Sequence, residues 1–395
     1  MTQVGVGHPG KCRLCGSTLK RNGKTSAGNV RWRCTRCGSS SAKRRPDVTR
    51  RKELESFVGW LLGNTTQRDL SGGSGRSFRE QHAWCWNVEP SITITGEIYD
   101  EIQLDGTYLA DGWCLLLAIN GINGNVIGFQ WCDEEKTAAW KALLDRIPPP
   151  RVVVIDGGRG LASALAECWP ETKIQRCLVH VQRNIRTYVT TNPRTEAGKG
   201  LRKLSLTLTR VRDQEQAGTW LVALNAWHQE FKDYLEERTN ANDAGAVRPA
   251  WAKANAQSWW THDRARKAYN LLALLVKREH LFTYLQEDFI ELSINSTTNR
   301  IEGARNAGIK DLLRRHRGMT SPHQRRAVEW YCYLHSPKPK PPSSLIKPEH
   351  WQPPNPAPII ETNTKPSDWG DAIPDSTQDW EPGFYIRKGW AGRTA

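Results

Sequence analysis

Acidic residues are almost missing from the start of this 395-residue chain: positions 1–52 carry 14 Lys or Arg against a single acid, Asp47. Of the formal net charge of +15, +13 therefore sits in the first eighth of the sequence. Nowhere does an apolar run approach the ~20 residues of a membrane span, which excludes a helical membrane protein. A secretory N-terminus is also lacking, so the expectation is a protein that stays in the cytoplasm where it is made. The last 60 residues balance their charges and are rich in Pro, Ser and Thr, with spaced Trp351, Trp369, Trp380 and Trp390. They read as an extended tail without a core of its own. A basic head on a near-neutral body points to a polyanion, nucleic acid first; a basic tail kept for solubility is the plain alternative.

The head holds the strongest spacing pattern. Cys12-x2-Cys15 and Cys34-x2-Cys37 are separated by 18 residues, within the range of a zinc ribbon. Four thiolates can hold a structural Zn²⁺ and fold a segment too poor in apolar residues to fold alone. Disulfides are the competing reading, and a chain without a secretion signal disfavours them. After the ribbon, Leu54, Phe57, Val58, Leu61 and Leu62 recur at helical spacing, Thr66 can cap a second helix, and a third is expected from Ser77 to about Trp86. Three short helices with the glycine turn at Gly72–Gly75 fit a helix-turn-helix, which would make Arg76, Arg79, Gln81 and His82 readers of DNA. A plain three-helix linker fits the same pattern.

From about Glu97 the texture changes. Strands are expected over Ile102–Leu109, Trp113–Asn120 and Asn125–Cys132, then a helix from Thr137 to Ile147. Val152–Ile155 is a run of four β-branched residues, the signature of a strand buried on both faces. It ends in Asp156-Gly157-Gly158, at the strand end where α/β sheets place ligands and metals. A helix N-cap is the plain reading of the same aspartate. A helix and a short strand, Lys173–Arg176, complete the order of a ribonuclease H-like mixed sheet. That order makes Asp105 and Asp156 neighbours in space. Phosphoryl transfer by two divalent ions about 4 Å apart needs a further carboxylate. Glu302 offers it, on a helix capped by Ser296 or Thr297, among Arg300, Arg305, Lys310, Arg314, Arg315 and Arg317. A surface ion pair is the plain alternative for Glu302, and Glu287 and Glu291 are the fallback acids. Between His180 and Ser296, Trp220, Leu221, Leu224, Trp227, Phe231 and Leu235 form one helical stripe, and Ala268, Leu271, Leu272 and Leu275 begin another.

Leu104-Asp105-Gly106-Thr107, Val154-Ile155-Asp156-Gly157, Cys177-x2-His180 and Thr298-Asn299-Arg300-Ile301-Glu302 occur in this order. With that set the chain resembles bacterial insertion-sequence transposases of the mutator-type DDE superfamily over roughly residues 97–330. The resemblance implies a catalytic triad of Asp105, Asp156 and Glu302 that binds two Mg²⁺ or Mn²⁺ ions, with Cys177 and His180 beside it. It implies an all-helical insertion before the glutamate, in which Trp251, Trp259 and Trp260 are either DNA-facing or core. It also implies double-stranded DNA partners, namely the element's terminal inverted repeats and a target, and a homodimer or larger assembly near the nucleoid.

The expected division is a ribbon at 1–48, a helix-turn-helix-like segment at 49–90, and a ribonuclease H-like core at 97–184. A helical insertion at 185–295, the core's final helices at 296–335 and a tail at 336–395 follow. A structure-selective nuclease on the same fold, or a domesticated zinc-ribbon regulator, are the rival functions.

Overall fold

The computed structural model describes residues 11–12, 15–26, 28–42, 46–71, 73–109 and 112–351. Trp369, Trp380 and Trp390 lie outside that range. The described residues divide into two compact units, one within 11–89 with 340–351 and the other within 90–339.

In the first unit, β1 (Leu19–Lys24), β2 (Val30–Cys34) and β3 (Ser40–Ala42) form a three-stranded antiparallel sheet. Only Cys12, Leu19, Trp32 and Cys34 are buried there among the described residues, too small a core to fold a segment unaided. Three helices follow: α1 (Pro46–Leu62), α2 (Gln67–Ser71) and α3 (Arg76–His82), then a 3₁₀ turn over Ala83–Asn87. Leu54, Phe57, Val58 and Leu61 are buried as their spacing predicts. Aromatic edges from Phe57, Trp60, Phe78 and Trp86 interlock around them. The third helix stops at His82, short of the expected Trp86. Part of the tail belongs to this unit: Asn87 Nδ2 donates to the His350 carbonyl at 2.8 Å, and 3₁₀ turns form at Pro342–Leu345 and Pro348–Trp351. Residues 340–351 therefore pack on the helices of this unit.

The second unit is mixed α/β. Its sheet contains β4 (Glu101–Tyr108), β5 (Cys114–Asn120), β6 (Val126–Cys132), β7 (Val152–Ile155) and β8 (Lys173–Arg176), in the order β6-β5-β4-β7-β8. The three-strand meander is antiparallel, whereas β7 and β8 run parallel to β4. Helices α4 (Thr137–Leu144) and α5 (Arg159–Cys168) cover one face, where Ile102, Leu104, Leu116, Val153 and Ile155 point. The other face, with Leu115, Leu117, Ile119 and Val126, packs on Ile301, Ile309, Val328 and Cys332. These last come from a π-helical turn (Ile301–Asn306), α10 (Ala307–Arg315) and α11 (Ser321–Leu334). Coverage on both faces is why β5 and β7 read as unbroken apolar runs and not as alternating ones.

A second core lies between β8 and the π-turn. It is built by α6 (Leu178–Val189), α7 (Glu196–Leu208), α8 (Gln214–Glu236) and α9 (Asp263–Lys277). The two apolar stripes read from the sequence meet here, with Trp220, Leu224, Trp227, Ala268, Leu271, Leu272 and Leu275 buried together. The insertion is not wholly helical, because β9 (Arg238–Asn240) and β10 (Ser258–Trp260) pair antiparallel within it. Trp259, on β10, is buried. Its neighbour Trp260 has the guanidinium groups of Arg238 and Arg266 over its ring, and Trp251 is half exposed beside Lys267. Among the described residues no helix is long and apolar enough to cross a membrane.

Candidate active site and zinc centre

Backbone register brings the first two acids together. Gln103 pairs with Val154 across the parallel β4–β7 ladder. The two adjacent strands thus carry Asp105 and Asp156 toward the same end of the sheet, close enough for the charge of Asp156 to act on Asp105. Asp105 is inside β4, opposite Leu117 on β5, whereas Asp100 lies at the far end of the strand, 3.6 Å from Arg151. Asp156 follows the last residue of β7, and its Oδ1 accepts from the Gly158 amide at 3.0 Å. That bond closes a local turn. The α5 N-cap is Gly158, with no side-chain cap, so Asp156 does not cap the helix. Gly157 takes φ +98°, and a Cβ there would run into the Arg176 guanidinium, which donates to the Asp156 carbonyl at 2.6 Å.

Glu302 comes from the π-turn that packs on the sheet face shared by Gln103 and Asp105. Helical turns begin at Asn299, so Glu302 falls in the first turn and not the second, and Thr298 precedes it in place of the expected Ser296 or Thr297 cap. The Thr298 carbonyl accepts from the amides of Ile301 and Glu302, and its hydroxyl bonds Glu302 Oε1 at 2.5 Å. A buried polar network ties this segment to the sheet. Glu101, fully buried, accepts from the Asn295 amide and side chain, and Gln103 Nε2 donates to Glu101 while its Oε1 accepts from the Ile301 amide at 3.2 Å. Cys177 Sγ accepts from the Thr298 amide and hydroxyl, at 3.3 and 3.2 Å.

Electrostatics register the convergence. Burial, and after it the charges of Asp156, Glu302 and Glu135, hold Asp105 well above the usual carboxylate range. Glu135, in the loop between β6 and α4, is pushed up to about 7 by burial and then by Asp156. Its carboxylate lies over Gly106, where a Cβ would collide with it. Asn306 Nδ2 donates to Asp105 Oδ2 at 2.6 Å. His180 lies 3.6 Å from Glu302, and Arg183 is 3.4 Å from its other oxygen. Burial opposes charge on both members of the Cys177–His180 pair, yet their mutual bond prevails: the thiol is pushed down and the imidazole up. Cys177, His180 and Glu302 each bring a donor atom within 4.8 Å of the others.

Sequence reasoning missed Glu135 and Asn306. Glu135 ends the run Asp133-Glu134-Glu135, in which nothing local marks one acid as inward-facing. Glu287 and Glu291, the fallback acids, are exposed. Among the flanking cations, Arg305 donates to the Gly124 carbonyl at 2.6 Å, while Arg314 and Arg315 each approach Asp311. Arg300, Lys310 and Arg317 are exposed. Of the helix-turn-helix readers, Arg76 pairs with Glu80 and Arg79 donates to Gln67 Oε1, both at the surface. Gln81 turns to Glu53, and His82 is buried against Phe78, its Nδ1 at 2.7 Å from the Phe78 carbonyl. The inward placement of His82 removes it from the expected set of DNA readers, because the helix presents it to its own core.

In the first unit the four cysteines converge: Cys12 and Cys37 sulfurs lie 3.6 Å apart, and Cys15 and Cys34 sulfurs 3.5 Å. All four sulfurs fall within 4.8 Å of one another. Backbone amides of Arg36 and Cys37 donate to Cys34 Sγ, and Gly16 and Gly38 take φ +70° and +72° after each pair, as a knuckle turning around an ion requires. An all-sulfur set suits Zn²⁺. The acid cluster presents hard oxygen donors in mutual repulsion, and Asn306 Oδ1 is buried with no hydrogen-bond partner among the described residues. That donor set suits Mg²⁺ or Mn²⁺.

Residues 117–244 match the family model described as Transposase, Mutator family. The match spans Asp156, Cys177 and His180, and it ends before Glu302. The transposase for insertion sequence element IS905 of Lactococcus lactis subsp. lactis (strain IL1403) is 29% identical over 161 residues, covering 37% of this chain. The chain spans 40% of that relative's length. Over residues 117–244, about a third of its length, the chain is similar to transposases of the Mutator family.

Proposed function

We propose that this chain is a DDE-type DNA transposase in which Asp105, Asp156 and Glu302 hold divalent cations for strand cleavage and strand transfer. The observation that carries the reading is that the π-turn bearing Glu302 bonds Asp105 through Asn306, while the adjacent parallel strand leads into Asp156. The strand order supports a ribonuclease H-like core divided by the helical insertion, with the ribbon and short helices as the part that finds DNA ends.

When bound, the cations supply Lewis-acid chemistry, activating an attacking oxygen and stabilising the leaving one. The chain's own residues do the rest. Asp105 and Asp156 present carboxylates from adjacent strands, and Glu302 presents a third from the facing helix. Thr298, His180 and Arg183 orient Glu302 through both of its oxygens. Cys177 secures Thr298, so the Cys177–His180 pair positions the glutamate without itself reacting. Arg300, Lys310, Arg314, Arg315 and Arg317 supply exposed positive charge for a phosphate backbone, which fixes register but reads no sequence. No side-chain nucleophile is required: water cleaves the strand, and the freed 3′-hydroxyl joins it to target DNA. Substrates in this reading are the element's terminal inverted repeats and a target duplex, held by a dimer or larger assembly.

The test is a Mg²⁺-dependent strand-transfer assay on DNA carrying the element's own ends. Asp156→Asn and Glu302→Gln should each reduce joining to background while leaving the thermal melt intact. Cutting without joining would favour a structure-selective nuclease. DNA binding with neither step would favour a domesticated regulator.

A further inference from the structure

We infer that Asn306 is a positioning residue that fixes the Asp105 carboxylate for cation binding and presents its own carbonyl oxygen to the same centre. The inference rests on the metal-binding role proposed above for Asp105. Asn306 is 5% exposed and closes the π-helical turn that opens with Ile301 and Glu302. Its Nδ2 donates to Asp105 Oδ2 at 2.6 Å, between residues 201 positions apart. One element therefore delivers both Glu302 and the clamp on Asp105.

The amide orientation follows from chemistry. Turned over, Asn306 would set one acceptor oxygen against another at the distance of a short hydrogen bond, which the ionised Asp105 of a cation-loaded centre forbids. With Nδ2 committed to Asp105, Oδ1 is left buried and without a partner among the described residues. A buried amide oxygen left unsatisfied is destabilising, so it is retained only where something uses it. A cation-bound water is an O–H donor of the right kind. The hydrogen bond also occupies one oxygen of Asp105, which leaves Oδ1 as the oxygen free to meet a cation. Outer partners of this sort orient a ligand and set metal affinity, and their loss costs about 10–100-fold.

Mn²⁺ binding followed by electron paramagnetic resonance on the full chain, with zinc supplied to the ribbon, reads this directly. Asn306→Ala should weaken Mn²⁺ affinity by about 10–100-fold. Strand cleavage by the same variant should then recover as Mg²⁺ is raised, an effect that a merely structural residue does not produce. Asn306→Ser, which keeps a short polar side chain, should fall between the two. Affinity unchanged in Asn306→Ala overturns the inference. So does a loss of activity that tracks a lowered melting temperature in both variants and is not restored by added metal. Asp105→Ala separates the levels of the argument. If it is inactive while Asn306→Ala binds Mn²⁺ normally, only the positioning role falls; if it still joins DNA ends, the proposed function falls.

Discussion

At the scale of single residues, the centre depends on positions where no other side chain fits. Gly157 combines a left-handed φ of +98° with a neighbour, Arg176, that occupies the space of any Cβ. Gly157→Ala should cost at least about 1–3 kcal/mol of unfolding free energy in a urea titration, from backbone strain alone. It should also lower activity, since the displaced guanidinium holds the Asp156 carbonyl. His280 makes a second residue-scale prediction. Burial, then Arg176 and Arg278, hold its imidazole down to about 4. A depressed histidine contributes stability above its unfolded value of about 6.5, and that stability is lost as pH falls toward 4. The stability difference between the parent chain and His280→Gln, measured in urea, should therefore shrink from pH 7 to pH 4.5. Asp156 was legible because a carboxylate at the end of a doubly buried strand is costly unless it caps a helix or meets a ligand. Glu135 and Asn306 were not, since their roles arise from contacts with distant parts of the chain, 201 positions away for Asn306, that no local pattern encodes.

At the scale of elements, the sheet was readable nearly strand by strand, with β7 and β8 matching their expected bounds. In β7, burial on both faces left a continuous apolar signal. The helix carrying Glu302 was expected, its geometry was not. A π-turn spans Ile301–Asn306, and its residues Gly303 and Ala304 face solvent. Such turns recur at functional sites, where they re-aim side chains at a small cost in stability. Deleting Gly303 should let the segment relax to an α-helix and rotate Asn306 relative to Glu302 by about 100°. The expected result is an unchanged or higher melting temperature with loss of DNA joining; retained joining would show that the turn serves packing alone. The short α3 was over-read for a related reason: Ala83–Asn87 continues the helical periodicity but tightens into a 3₁₀ turn to bury Trp84 and Cys85.

At the scale of the whole molecule, two donor groups differ in type: four sulfurs in the first unit, and in the second the Cys177, His180 and Glu302 group beside the acids whose charges act on Asp105. With so small a core, a zinc ion held by the four cysteines would be the main source of folding energy for this segment. A zinc-selective chelator should unfold the ribbon by circular dichroism and abolish binding to end DNA, while the far larger second unit keeps its own thermal transition. Cys34→Ser should do the same without chelator. The central claim is that Asp105, Asp156 and Glu302 act as one cation-dependent centre for transposition. It is tested most directly by a strand-transfer assay in Mg²⁺ with the element's own ends, comparing the parent chain with Asp105→Asn, Asp156→Asn and Glu302→Gln. The account predicts joined products from the parent chain and background levels from each folded variant. Joining that survives in any one of the three would contradict it.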